Sequence, residues 1–210
     1  MRLYDLFYEC INTKYQSAGC CANYAIRREL DTLYIFFEKS VGKTDWKSNF
    51  NFPARAHKTW FAHRGFLAVW KEIEPSLKNY ICDKSIKRII ITGYSHGAAI
   101  AVLCHEHVWF NRPDLRRKLE GFGFGCPRVF WGVQTADIKQ RFENFTVVRN
   151  INDIVTHLPP FLLGYSHVGK MLRIGRRGKY SSIDAHREEK ILEELFAYEN
   201  ASFLQKEKAL

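Results

Sequence analysis

Five residues, Gly93-Tyr94-Ser95-His96-Gly97, constrain this chain more than any others. Before them runs Lys87-Arg88-Ile89-Ile90-Ile91-Thr92. Isoleucines in succession read as a strand buried on both faces. After them runs Ala98-Ala99-Ile100-Ala101-Val102-Leu103-Cys104, small and apolar, which reads as a buried helix. Strand, G-x-S-x-G and helix in that order form a nucleophile elbow. The serine sits on so tight a turn that its Oγ stands clear of the backbone. The flanking glycines let strand and helix approach closely. The helix that starts behind Ser95 directs its backbone N–H groups and positive end at any oxyanion formed there. Alone, the pentapeptide also occurs by chance in loops; its flanks give it weight.

The 210 residues suffice for one domain with a full core, and a hydrophobic share of 46% excludes a disordered chain. We therefore expect a single domain over residues 1–210. The formal net charge of +10 favours anionic surfaces, or serves solubility alone. The glycines of Gly121-Phe122-Gly123-Phe124-Gly125 lack a phosphate-loop lysine and serine, so they do not read as a nucleotide site. A nucleic-acid partner is not expected. The start of the chain is broken by charge and does not read as a signal peptide. No apolar run reaches the length of a membrane span. The six cysteines lack C-x-x-C spacing and read as reduced thiols of a cytoplasmic protein. Cys104, His105 and His107 suggest a metal site, but a helix with one buried cysteine is the simpler reading. No metal or cofactor is expected.

In chain order, residues 3–18 suggest a helix with Leu3, Leu6, Phe7 and Ile11 on one face. Tyr24–Arg28 and Thr32–Phe37 read as a hairpin around Glu29-Leu30-Asp31. A polar loop follows to Trp46. Residues 46–60 mix aromatics with charge and read as a surface connection, or as a lid across a site. His63 reads as a structural histidine ahead of a helix through Leu67, Val69, Trp70 and Ile73, with Pro75 near its end. Residues 111–118 are a basic surface stretch. A glycine-rich strand is expected over 121–129, a helix over 134–142 and strands over 145–149 and 170–174. The tail from Glu188 to Tyr198 is strongly helical.

The alternation of strand and helix from Ile89 to Val148 argues a doubly wound, mostly parallel sheet with helices on both faces. Sites in such sheets lie at the carboxyl ends of strands. Ser95 is at one such end and Asp153 at another. An α/β-hydrolase triad runs serine, acid, histidine in chain order, which makes Asp153 the natural acid. Asp114 and Asp137 lie in or beside helical stretches and fit worse. His167 and His186 both follow Asp153 and compete as the base. His157 is too close to Asp153 in sequence and stands third. One oxyanion donor is the N–H of His96. The Phe37–Ser40 turn is the best-placed source of a second, through the N–H and hydroxyl of Ser40. An ordinary strand-to-helix turn with a serine cap accounts for that turn equally well.

Several ordered motifs together carry a resemblance. They are Leu33–Phe37 with the loop to Asp45-Trp46, His63-Arg64-Gly65-Phe66, the elbow with Ala98-Ala99, and Phe122-Gly123-Phe124-Gly125-Cys126-Pro127-Arg128-Val129. Asn152-Asp153-Ile154-Val155 with Leu158-Pro159-Pro160, and Tyr165-Ser166-His167-Val168-Gly169, complete the set. The chain resembles the class 3 lipase family of α/β-hydrolases from about Tyr24 to about His186. The resemblance implies Asp153 as acid, His186 as catalytic histidine, His167 as structural, and Ser40 as the first oxyanion residue. Lys39 replaces the family's usual glycine and His96 its frequent leucine. Local context also favours His186. It opens the last helix after a short loop, whereas His167 sits in a tight turn between Gly164 and Gly169. The implied function is a serine ester hydrolase that cleaves lipid or other acyl esters through an acyl-enzyme. The rivals are a phospholipase at anionic membranes and a non-catalytic binding protein on the same fold. Arg173, Arg176, Arg177 and Lys179, near the expected mouth, motivate the membrane partner. The sequence does not set an oligomeric state.

Overall fold

The computed structural model describes residues 1–19, 23–39 and 53–207. At its centre is a seven-stranded sheet in the order β1-β2-β3-β6-β7-β9-β11. The hairpin of β2 (Asn23–Glu29) and β3 (Thr32–Phe37) turns at Leu30-Asp31, with Glu29 paired to Thr32. From β3 onward every neighbour is parallel: β6 (Arg88–Tyr94), β7 (Leu119–Phe124), β9 (Phe145–Asn150) and β11 (Lys170–Ile174).

Side-chain alternation divides two core layers between the sheet's faces. Leu33, Ile35 and Phe37 on β3, with Ile89 and Ile91 on β6, pack toward α2 (Arg64–Cys82) and α3 (His96–Asn111). Phe36, Ile90, Tyr94, Phe124 and Val148 pack toward α1 (Leu3–Asn12) and α5 (Glu188–Glu207), meeting Leu6, Phe7, Ile191 and Leu195. Helix α3 is buried almost all round from His96 to Trp109. That suits its small apolar sequence and its place between sheet and α2.

Three elements differ from expectation. Helix α1 stops at Asn12, because Thr13 turns extended and the Tyr15 hydroxyl caps the Cys10 carbonyl. The chain then enters the edge strand β1 (Gln16–Ser17). Helix α2 runs through Pro75 to Cys82. An interior proline costs about 3 kcal/mol, but Leu77 and Ile81 beyond it are fully buried, and each returns about 1.5–3 kcal/mol. The third is a second, antiparallel sheet in the order β10-β8-β5-β4. It consists of β4 (Ala54–His57), β5 (Trp60–His63), β8 (Phe130–Trp131) and β10 (Tyr165–Ser166). Part of the stretch read as connection or lid is therefore a hairpin; residues 46–52 lie outside the described residues. Buried Glu106 on α3 anchors this hairpin. It accepts from Trp60 Nε1 at 2.8 Å and Arg141 Nη1 at 2.7 Å, and lies 3.1 Å from His57 Nε2. Arg141 closes α4 (Ala136–Arg141). No described helix is long and apolar enough to cross a membrane.

Candidate active site

The elbow is built as its sequence requires. Phe37 at the end of β3 pairs with Gly93 near the end of β6. Ser95 then takes φ 55° and ψ −120°, in the region that L-residues rarely occupy. Its N–H donates to the Phe124 carbonyl at 2.9 Å. A Cβ at Gly93 would lie 2.2 Å from the Gly97 carbonyl oxygen, and one at Gly97 would lie 2.2 Å from that of Phe37. Neither position admits a side chain, so strand, turn and helix lock together.

Asp153 follows the carboxyl end of β9 and is fully buried. Its N–H donates to the Asn150 carbonyl at 3.0 Å, and its Oδ1 accepts from the Val155 N–H at 2.8 Å. These bonds aim Oδ2 at the Nδ1 of His186, 2.8 Å away. The other ring nitrogen, Nε2, lies 2.8 Å from Ser95 Oγ. A carboxylate accepts only, so Nδ1 carries the proton and the Nε2 lone pair faces the serine hydroxyl.

His186 ends a single turn of 3-10 helix, Asp184–His186, just before α5. Fully buried Ala185 pins that turn to the protein. The Tyr94 hydroxyl donates to the His186 carbonyl, and the two rings lie 5.3 Å apart. Burial, with Glu188 and Asp153 nearby, pushes the Tyr94 hydroxyl pKa up and keeps it a neutral donor.

Gly125 is a site residue that the sequence reading passed over. It has φ +56°, and a Cβ there would lie 2.8 Å from His186 Cε1 and 3.2 Å from Asp153 Oδ2. The signal was present as a last glycine at the carboxyl end of a strand, in Gly125-Cys126-Pro127, where a site is expected.

The other sequence-predicted residues are placed as follows. His96 opens α3, with its ring 5.5 Å from that of Phe66. Ser40 lies outside the described residues. The two residues before it lead from β3 past the elbow, where Lys39 pairs with Glu188 at the start of α5. His167 joins neither Ser95 nor Asp153. Its Nε2 lies 2.8 Å from the Thr156 carbonyl, and burial pushes its pKa down to about 4. His157 packs on Arg149, and burial with Arg149 and Arg128 lowers its pKa. His63 caps α2, its Nδ1 accepting from the Phe66 N–H at 3.4 Å. His105 reaches the Arg141 carbonyl at 3.1 Å, and burial pushes its pKa down to about 4. Lys179 bonds to Glu193 and Glu194, which removes it from the free basic run.

A serine on a strand-to-helix elbow, joined through a histidine to a buried carboxylate from a later strand end, is the arrangement of the α/β-hydrolases. Within that class the chain belongs to the class 3 lipase family, whose description, lipase (class 3), matches residues 34–163. It is 28% identical over 157 residues to a lipase of Rhizomucor miehei, covering 66% of this chain and 40% of that protein. It is 26% identical over 140 residues to the secreted mono- and diacylglycerol lipase 1 of Fusarium solani, covering 61% and 39%. The chain thus spans about 40% of the length of these curated relatives. Among solved structures, a fungal lipase–inhibitor complex shares the fold with a TM-score of 0.71 at 22% identity, over 83% of this chain and 78% of that one.

These relatives correct one expectation. The reading of a cytoplasmic protein rested on cysteine spacing and the first residues. Relatives from Fusarium and Malassezia are named as secreted lipases, which points away from the cytoplasm. Free Cys10, Cys82, Cys104 and Cys126 do not decide the compartment, since a secreted enzyme can keep unpaired thiols.

Proposed function

We propose that this chain is a serine ester hydrolase acting on lipid or other acyl esters, with residues 1–210 acting as one catalytic unit. The observation that carries the reading is His186, held 2.8 Å from both Ser95 Oγ and Asp153 Oδ2. Ser95 Oγ attacks the ester carbonyl while Nε2 of His186 takes its proton. Asp153 holds the ring and stabilises the imidazolium. The N–H groups of His96 and Ser40 receive the oxyanion. As the tetrahedral intermediate collapses, the imidazolium returns its proton to the leaving alcohol. Water then attacks the acyl-enzyme with the same base, releasing the acid and restoring Ser95. Each step uses side chains, backbone and water alone.

The names of the relatives, lipase and mono- and diacylglycerol lipase, support acyl glycerides as the substrate class. Arg149 and Arg173, which lack a carboxylate partner among the described residues, favour the narrower reading of a phospholipase drawn to anionic membranes. The non-catalytic reading offers no reason for the spacing of Ser95, His186 and Asp153. The test is a panel of p-nitrophenyl esters of graded acyl length, with phospholipids added. Hydrolysis by the parent and its loss in Ser95→Ala are expected. A folded parent that turns over no ester of any length would overturn the proposal.

A further inference from the structure

The loop beyond Asp153 carries three apolar residues in succession that the protein leaves in water. Phe161, Leu162 and Leu163 are 69%, 95% and 52% exposed. Contiguous apolar exposure of this kind marks a contact surface. The turn is nonetheless firmly built. The Leu163 N–H donates to the Pro160 carbonyl at 3.0 Å and the Gly164 N–H to the Phe161 carbonyl at 2.8 Å. Trp131 Nε1 donates to the Leu163 carbonyl at 2.8 Å. Arg128 Nη1 donates to the Pro159 carbonyl at 2.8 Å and fixes the stem. Every one of these bonds is to backbone, so the turn is held while its side chains point away.

Beside that stem lies positive charge without a counter-charge. Arg149 and Arg173 are register partners on the parallel strands β9 and β11, so their side chains leave the same face together. No carboxylate among the described residues pairs with Arg128, Arg149 or Arg173. Arg149 Nε is buried without a hydrogen-bond partner. Burial, with Arg149 near Arg128 and Arg173 near Arg149, lowers the pKa values of Arg128 and Arg149. Like charges side by side on a sheet are unfavourable until an anion joins them.

The topology puts both features on one edge. Ser95 follows β6, Asp153 follows β9, and the Phe161 turn continues from Asp153, all beyond the carboxyl ends of the parallel strands. A second copy docked through this face by a two-fold axis would set arginines against arginines, in a chain of net charge +10. An anionic lipid surface complements both the arginines and the apolar tip.

We propose that the Phe161–Leu163 turn is a membrane anchor that enters an anionic lipid surface, with Arg128, Arg149 and Arg173 meeting the headgroup phosphates. It deepens the ester-hydrolase reading by naming the surface that presents substrate to Ser95, and binding tests it independently of turnover. The test uses Ser95→Ala protein, which cannot consume the vesicles, in co-sedimentation with phosphatidylcholine vesicles with and without phosphatidylglycerol. The parent binds more tightly when phosphatidylglycerol is present. Phe161→Asp/Leu162→Asp lowers partitioning at least about tenfold on both vesicles. Arg149→Gln and Arg173→Gln each remove about fivefold, only on the anionic vesicles. Equal partitioning of parent and the double Asp variant overturns the proposal. So does a lipid-free dimer that the double Asp variant dissociates without changing vesicle binding, which makes this face a contact between copies. With Ser95 intact, the double Asp variant keeps soluble-ester turnover within about twofold. If it loses that turnover, the turn belongs to the substrate pocket and the anchor reading falls. Vesicle binding by a parent that hydrolyses no ester would sink the hydrolase reading and leave the anchor standing.

Discussion

Gly125 and His186 are so close that the imidazole has its place only because residue 125 has no side chain. A Cβ at Gly125 would lie 2.8 Å from His186 Cε1 and 2.9 Å from Nδ1. Gly125→Ala must therefore push the ring off Ser95 or off Asp153. It should lower kcat/KM for a soluble ester at least about 100-fold, since a misplacement near 1 Å has that cost. With φ +56° at this position, stability should fall by about 1–2 kcal/mol. Ester kinetics together with thermal unfolding separate the two effects.

The three polar side chains should act as one unit. His186→Ala should lose nearly as much activity as Ser95→Ala, and the double variant should lose little more. His167→Ala should retain turnover and lose about 1–3 kcal/mol of stability, because it removes a bond to the Thr156 carbonyl. A folded, inactive His167→Ala beside an active His186→Ala would reverse the roles.

Stability should fall with acid in a defined window. Burial holds His105 and His167 down to about 4, against 6.5 for free histidine. The unfolded chain takes up these protons first, so it binds more protons than the folded state between those values. Stability is then full above about pH 6.5 and drops as pH falls toward 4, by up to roughly 3 kcal/mol for each ring. His167→Gln, which can still donate to Thr156, should flatten the slope in denaturant titrations across this range. An unchanged slope would contradict the neutral, buried ring.

We propose that Ser40, the oxyanion residue that the family resemblance implies, supplies the second donor. Ser40→Ala should cost at most about 10²–10³ in kcat, and less if only the backbone N–H contributes. Ser40→Pro removes that N–H and should cost more. Full kcat in a folded proline variant would place the donor elsewhere.

Much of the candidate site was legible because its geometry forces local sequence. Gly93 and Gly97 are required where backbones touch, and the Ile89–Ile91 run is required by a strand covered on both faces. The β2–β3 hairpin announced itself through the strongly β-prone run Thr32–Phe37. The small sheet did not. Strands β8 and β10 have two residues each, too short for any period, and β4–β5 is held by the remote Glu106 on α3. Pro75 misled because it weighs against a helix locally, while the burial of Leu77 and Ile81 is a tertiary effect. Gly125 escaped because its neighbours, His186 and Asp153, arrive from elements far along the chain. The compartment was misjudged because cysteine spacing constrains redox environment only weakly.

The central claim is that His186 and Asp153 make Ser95 a nucleophile. The most direct measurement is labelling of the folded protein by a fluorophosphonate probe, with the modified residue located by peptide mass spectrometry. A single adduct on Ser95 is expected, slowed by orders of magnitude in His186→Ala and absent in Ser95→Ala. A folded parent that takes no label, or that takes it at another serine with Ser95 unmodified, would contradict the account.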